Sequence, residues 1–225
     1  MRLSIIIPVL NEAASIETHL RPLQDFRAAG HELILVDGGS EDGTLALATP
    51  WVDKAIISEP GRARQMMAGA NLAEGDVLLF LHADTRLPSD AEALLQAASH
   101  EGSWGRFDVR LSGQHWMFPI IAWFMNHRSR LTGIATGDQA IFVRRSLFLA
   151  MGGFANIPLM EDVELCKRLK VHSPPVCIDT PLETSSRRWQ SAGVFRTIFL
   201  MWKLRLLYFL GVSTQSLARQ YRKQN

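Results

Sequence analysis

Four short apolar runs, each closing on polar residues and each separated from the next by a helix-like segment, limit what this chain can fold into. They are LSIIIPVL (3–10), ELILVD (32–37), KAIISE (54–59) and DVLLFL (76–81). Runs that stay apolar instead of alternating belong to strands buried on both faces, which occur in parallel sheets covered by helices. The intervening segments agree. EAASIETHLRPLQDFRAAG (12–30) reads as one helix stopped by Gly30, GTLALATPW (43–51) begins a shorter one, and GRARQMMAGANLA (61–73) forms a third. The rhythm β-α-β-α-β-α-β predicts an α/β chain, Rossmann-like, with three layers α/β/α and a mostly parallel central sheet. Ligands of such sheets sit beyond the carboxyl ends of the strands. The 225 residues can bury a core unaided, and no repeat or low-complexity tract divides them.

The polar residues fall where that architecture binds ligands. The first strand leads into Pro8, Asn11 and Glu12, the second into Asp37, Gly38, Gly39 and Ser40, and the fourth into His82, Ala83 and Asp84. A single aspartate after a strand commonly caps a turn or a helix. Three strand ends carrying acids or amides to one edge point further, to a polar ligand. A carboxylate beside glycine-flanked amides can grip a ribose or base edge, or a metal that carries phosphates. Asp84 reads best as such a ligand, because Mg²⁺ and Mn²⁺ take one or two carboxylates and complete their shell with water and phosphate oxygens. His82 is a second candidate donor, although a hard cation prefers oxygen. Arg62 and Arg64 open a helix toward the same edge and supply planar donors for phosphate or base.

Charge is uneven along the chain. The formal net charge is +2, yet no acidic residue follows Glu183, while Arg187, Arg188, Arg196, Lys203, Arg205, Arg219, Arg222 and Lys223 are all basic. Within that tail VFRTIFLMWKLRLLYFLGV (194–212) is strongly apolar but broken by charges, so it lacks the roughly 18 uncharged residues of a spanning helix. A basic, aromatic-rich helix suits an anionic membrane surface; packing on the core or on another subunit is the alternative. HWMFPIIAWFMNHRSR (115–130) reads as a packing helix, with an acceptor-facing or membrane-facing role as its alternative. Cys166 and Cys177 are too few for a disulfide framework and lack metal-site spacing, which places the chain in a reducing, cytoplasmic setting. The opening MRLSIIIPVLNE contains Pro8 and no cleavage signal, so it reads as a strand and not as a leader. No nucleic-acid partner is expected.

SIIIPVLNE, LILVDGGSEDGT, GRARQMMAGANLAEGDVLLFLHADT, GDQAIFVRRSLFLAMGGF and MEDVELCKRL stand in an order and spacing that resembles the family 2 glycosyltransferases, over about residues 4 to 170. The resemblance implies a GT-A fold, a nucleotide-diphosphate-sugar donor with uridine the commonest base, Mg²⁺ or Mn²⁺, and transfer with inversion to an acceptor hydroxyl. On the matching positions it implies that Pro8, Asn11, Glu12, Asp37 and Gly38 line the nucleoside pocket. Arg62 and Arg64 would then lie near base or phosphates, and His82, Ala83 and Asp84 at the metal and diphosphate. Many members carry Asp-x-Asp where this chain has His82-Ala83-Asp84, which implies weaker metal affinity. Glu161–Asp162 matches the catalytic-base position, with Asp162 as base, and neighbours on a helix are expected to send only one side chain inward. Gly137, Asp138 and Gln139 would reach the acceptor side, where AIFV (140–143) reads as a supporting strand.

SSRRW (185–189) is similar to the Gln-x-x-Arg-Trp pattern of processive relatives, and it adds Arg188 and Trp189 to the acceptor side; without the glutamine, polymer synthesis is not expected. The short chain, His-Ala-Asp and the compact tail resemble a small subgroup labelled arsenosugar-biosynthesis glycosyltransferases. The expected organisation is a glycosyltransferase domain over 1–190, its nucleotide-binding half about 1–86 and its acceptor half about 87–190, followed by a basic helical segment over 191–225. Two other readings compete. A sugar-nucleotide-forming nucleotidyltransferase would carry a glycine-rich basic loop after the first strand, where this chain has Asn11-Glu12. A non-catalytic sugar-nucleotide or membrane-surface binding protein would use the same acids structurally.

Overall fold

The computed structural model describes residues 1–222; Lys223, counted above in the basic tail, lies outside the described residues. The elements run β1 (Leu3–Val9), α1 (Ile16–Leu20), α2 (Gln24–Ala28), β2 (Glu32–Asp37), α3 (Thr44–Ala48), β3 (Lys54–Ile57), α4 (Arg62–Leu72), β4 (Val77–Phe80) and β5 (Thr85–Arg86). There follow α5 (Ala91–Glu101), β6 (Trp104–Leu111), α6 (Met117–Thr132), β7 (Phe142–Arg144), α7 (Arg145–Ala150), α8 (Glu161–His172), β8 (Val176–Thr184), α9 (Arg187–Ala192), α10 (Val194–Phe209) and α11 (Thr214–Arg222).

The four apolar runs form the four strands expected. They lie side by side in one sheet of order β3-β2-β1-β4-β7-β6-β8-β5, with β3, β2, β1 and β4 mutually parallel. Only β7 and the short β5 run antiparallel to their neighbours, so the sheet is mostly parallel as the sequence predicts. Burial on both faces follows from alternation within each strand. Ile5 and Ile7 of β1 enter one apolar cluster with Leu33, Leu35 and Leu79, while Ile6 enters the opposite cluster with Ile34, Val36 and Leu78.

The segment 12–30 departs from the single helix expected. It breaks into α1, a 3₁₀ turn over Arg21–Leu23 and α2. Pro22 is the cause, since proline offers no N–H to the preceding turn and its ring crowds the carbonyl four residues back. Gly30 does end the segment, at φ +88°.

The apolar tail becomes α10, which closes the second cluster with one face. Thr197, Leu200 and Leu204 are buried against it, and Leu217 and Ala218 of α11 follow them inside. The other face of α10 is bare. Phe195, Phe199, Trp202, Leu206, Phe209 and Leu210 are all exposed, Phe199 at 72%. The α6 helix is likewise divided, burying Phe118, Ile121 and Ala122 while Trp116, Trp123 and Phe124 face outward.

Candidate functional site

A cavity of about 570 Å³ opens at the carboxyl ends of β1 and β4. Pro8 and Glu12 from the end of β1, Arg62 and Gln65 from the first turns of α4, His82, Ala83 and Asp84 from the end of β4, and Glu161 all line it. The strand ends and the α4 N-terminus converge because the parallel register carries every β-to-α turn to the same edge. A smaller adjoining cavity, about 100 Å³, shares Arg62, His82 and Glu161 and adds Gly137, Asp138 and Asp162. Glu161 thus borders both spaces, whereas Asp162 borders only the second.

The acid pair departs from the expectation that one member faces inward, since both line the smaller cavity. They are the first two residues of α8, entered through Met160 in the left-handed region at φ +69°. Asp162 Oδ2 accepts the Gly137 N–H at 2.9 Å and its Oδ1 accepts the Val163 N–H at 2.7 Å, which fixes the carboxylate at the helix start. Glu161 is buried. Loss of water, and then the neighbouring Asp162 charge, push its carboxyl up to about 7, against the opposing pull of Arg62 and His82.

His82 is wedged in place. Its Nδ1 lies 3.3 Å from Asp138 Oδ1, and a Cβ added at Gly137 would fall 2.5 Å from its Nε2, so residue 137 admits only glycine beside this ring. The close approach expected at Gly137 is therefore made by His82. Burial raises the Asp138 carboxyl, but the His82 hydrogen bond and charge, with Arg62 and Arg205, outweigh it and bring it down to about 2. Asp84 is half-buried, and its carboxylate accepts no hydrogen bond from another described residue.

Other expected residues lie one step back. Asp37 Oδ1 accepts the Gly39 and Ser40 N–H groups at 2.8 and 2.6 Å, the turn-capping role, while its Oδ2 is buried without a partner. Gly38 packs on Gln65, whose amide donates to the carbonyls of Val9 and Val36 at 2.8 and 2.9 Å and ties β1 to β2. Asn11 holds the neighbouring loop, accepting the Glu41 N–H. Arg64 is not brought into the cavity; its guanidinium donates to Glu59 and Asn156 at the rim. Gln139 is turned into the core, where it bonds the Thr136 N–H and Ser129 Oγ.

Arg188 stacks its guanidinium 3.8 Å from the centre of the Tyr221 ring and donates to the Tyr221 hydroxyl, while Trp189 lines an outer groove. Sequence reasoning did not single out Gln65, Arg128, Arg205 or Tyr221 as site residues. For Gln65 the one available signal was its place a turn after Arg62.

No group of three or more His, Cys, Asp or Glu that could hold a metal by itself occurs among the described residues. Asp84 nonetheless gives the larger cavity a hard oxygen donor, which suits Mg²⁺ or Mn²⁺ when phosphate oxygens and water complete the shell. His82 fits less well, with one ring nitrogen turned to Asp138 and the other against Gly137.

Known proteins resemble this chain. A "PGL/p-HBAD biosynthesis glycosyltransferase" of Mycobacterium bovis is 34% identical over 165 residues, covering 67% of this chain and 62% of the relative. The chain thus spans about three-fifths of that relative's length. The solved mannosyltransferase PcManGT of Pyrobaculum calidifontis, in complex with GDP-Man and Mn²⁺, superposes with a TM-score of 0.66 at 20% identity over 97% of this chain and 64% of that one. Glucosyl-3-phosphoglycerate synthase of Mycobacterium tuberculosis, in complex with Mg²⁺ and UDP, gives 0.62 at 16% identity over 94% and 80%. At these identities the structures speak for the fold, which is GT-A-like. Residues 4–149 match the description "Glycosyl transferase family 2", and on that match, carried by this sheet, the chain belongs to the family 2 glycosyltransferases.

Proposed function

We propose that this chain transfers a sugar from a nucleotide-diphosphate-sugar, read as a UDP-sugar, to an acceptor hydroxyl in one inverting displacement. The observation that carries the reading is the pair of adjoining cavities: Arg62 and Asp84 line the larger, Asp162 lines the smaller, and Glu161 stands between them. The larger cavity has the size of a small-molecule site, for which roughly 300–1,000 Å³ is usual.

Each group then has a task set by charge. Departure of the diphosphate builds negative charge on its oxygens, which Arg62 and the N-terminal amides of α4 are placed to stabilise. A bound Mg²⁺ or Mn²⁺ would neutralise diphosphate charge from the side of Asp84. Asp162, held by two backbone N–H groups and facing the acceptor cavity, takes the proton of the attacking hydroxyl. Asp37 serves by fixing the turn behind the cavity through the Gly39 and Ser40 N–H groups. His82 serves by fixing Asp138, and Gly137, Asp138, Arg188 and Trp189 border the acceptor. The chain is further read as a peripheral protein on the cytoplasmic face of an anionic membrane, through the bare side of α10.

The test is thermal stabilisation of the protein and of Asp84→Ala by UDP, GDP and their sugars, each with and without Mn²⁺. UDP with Mn²⁺ at about 100 times its Kd should stabilise the native protein by about 2.7 kcal/mol, a rise of several degrees in Tm. Asp84→Ala should lose the metal-dependent part. Equal responses of both proteins, with or without metal, remove Asp84 as a ligand; no response to any nucleotide removes the donor reading.

A further inference from the structure

One polar side chain on the wall of the larger cavity has no part in the chemistry above. Gln65, in the first turns of α4, is only 4% exposed, and its amide is bonded entirely to backbone. Its Nε2 donates to the Val9 carbonyl at 2.8 Å and to the Val36 carbonyl at 2.9 Å, and its Oε1 accepts the Gly61 N–H at 3.4 Å. Val9 closes β1, Val36 stands next to last in β2, and Gly61 is the residue just ahead of α4. One amide therefore ties together three of the elements whose ends meet at the cavity.

Packing does not call for an amide there. Met66 and Ala70 of the same helix lie in the apolar cluster with Ile6 and Val36. A methionine would fill a similar space without burying a polar group. The glutamine is tolerated because both Nε2 protons and Oε1 are matched, and the groups that match them lie at strand ends and a helix start.

The consequence falls on α4. The first N–H groups of a helix have no partner within it, and Gly61, at φ +136°, has no side chain to hold them. Gln65 closes on Gly61 twice: its own N–H donates to the Gly61 carbonyl at 2.9 Å, and its side chain takes the Gly61 N–H. Arg62, next in sequence, lines both adjoining cavities. The same amide abuts Gly38, where an added Cβ would fall 3.1 Å from its carbon and nitrogen, so the turn that follows β2 is seated on it as well.

We propose that Gln65 is a positioning residue for the donor: its amide sets the spacing between the turn after β2, on the nucleoside side, and the start of α4 with Arg62, on the diphosphate side. It acts through Gly38, Gly61 and Arg62, and the identity of the ligand rests on the transferase reading. A ligand that reaches both sides gains from a fixed spacing, whereas a fragment that reaches one side does not.

Titration calorimetry in Mg²⁺ compares UDP, uridine and inorganic pyrophosphate on the native protein and on Gln65→Met. UDP should lose about tenfold in affinity while uridine and pyrophosphate each change by less than about twofold, because only UDP spans the two sides. A merely structural role would weaken all three together, or lower Tm and leave binding alone. Gln65→Asn keeps the amide but is one methylene too short to reach both carbonyls; it should show the same pattern, and it serves if Gln65→Met does not fold. UDP binding to the native protein with no selective loss in the variants overturns this inference alone. Failure of the native protein to bind any of the three defeats the donor reading on which it rests.

Discussion

Asp162 and Glu161 are adjacent, yet their surroundings assign them different work. Asp162 is held in place by the Gly137 and Val163 N–H groups, so Asp162→Asn should keep the fold and nucleotide binding and lower the transfer rate by about 100-fold or more. An unchanged rate in a coupled release assay would remove Asp162 as the base. Glu161 holds its proton to about 7 in the folded chain against an ordinary 4.5. A carboxyl raised in this way favours folding while protonated, and that advantage is lost as pH rises from about 4.5 through 7. Glu161→Gln should therefore match the native protein in denaturant unfolding at pH 4 and exceed it at pH 8, by up to about 3 kcal/mol. Parallel pH profiles for the two proteins would show that Glu161 ionises freely. Neither difference was legible in MEDVELCKRL, because the residues that surround Glu161 in the smaller cavity, Arg62, His82 and Leu204 among them, lie far away in sequence.

Among the elements, the strands were the most legible and α1–α2 the least. A buried parallel strand must be apolar throughout, so Ile5, Ile6 and Ile7 announce β1 without help from the rest of the chain. The break at Pro22 was also written in the sequence, but the surrounding Ala and Leu masked it. For α10 the charge pattern and the aromatic content were plain, and what could not be read was the division of labour around its axis. Leu200 and Leu204 serve the core, while Phe199 and Trp202, which look no different in sequence, face outward with Arg196 and Lys203. No helix among the described residues is long and apolar enough to cross a membrane. The bare face should nevertheless bring the protein down with vesicles containing anionic lipid, and Phe199→Glu with Trp202→Glu should leave it in the supernatant. Equal sedimentation of both proteins would mean that this face is not what meets the lipid.

At the scale of the whole molecule, the two halves of the site are built by different means. The larger cavity is assembled from turns that follow strands, and a parallel sheet fixes where such turns go, which is why Pro8, Glu12, Ala83 and Asp84 could be placed in one cleft from sequence. The groove between α6 and α10 is assembled from helix faces, so Arg128, Trp189 and Arg205 meet only through packing that no local pattern encodes. The same construction has a practical side at the bench. Tyr221 and Arg222 line the larger cavity, whereas Met1 lies just ahead of β1, at the far end of the strand from that cavity. An affinity handle on the Arg222 side is expected to crowd the site under assay, and one fused ahead of Met1 to leave it clear.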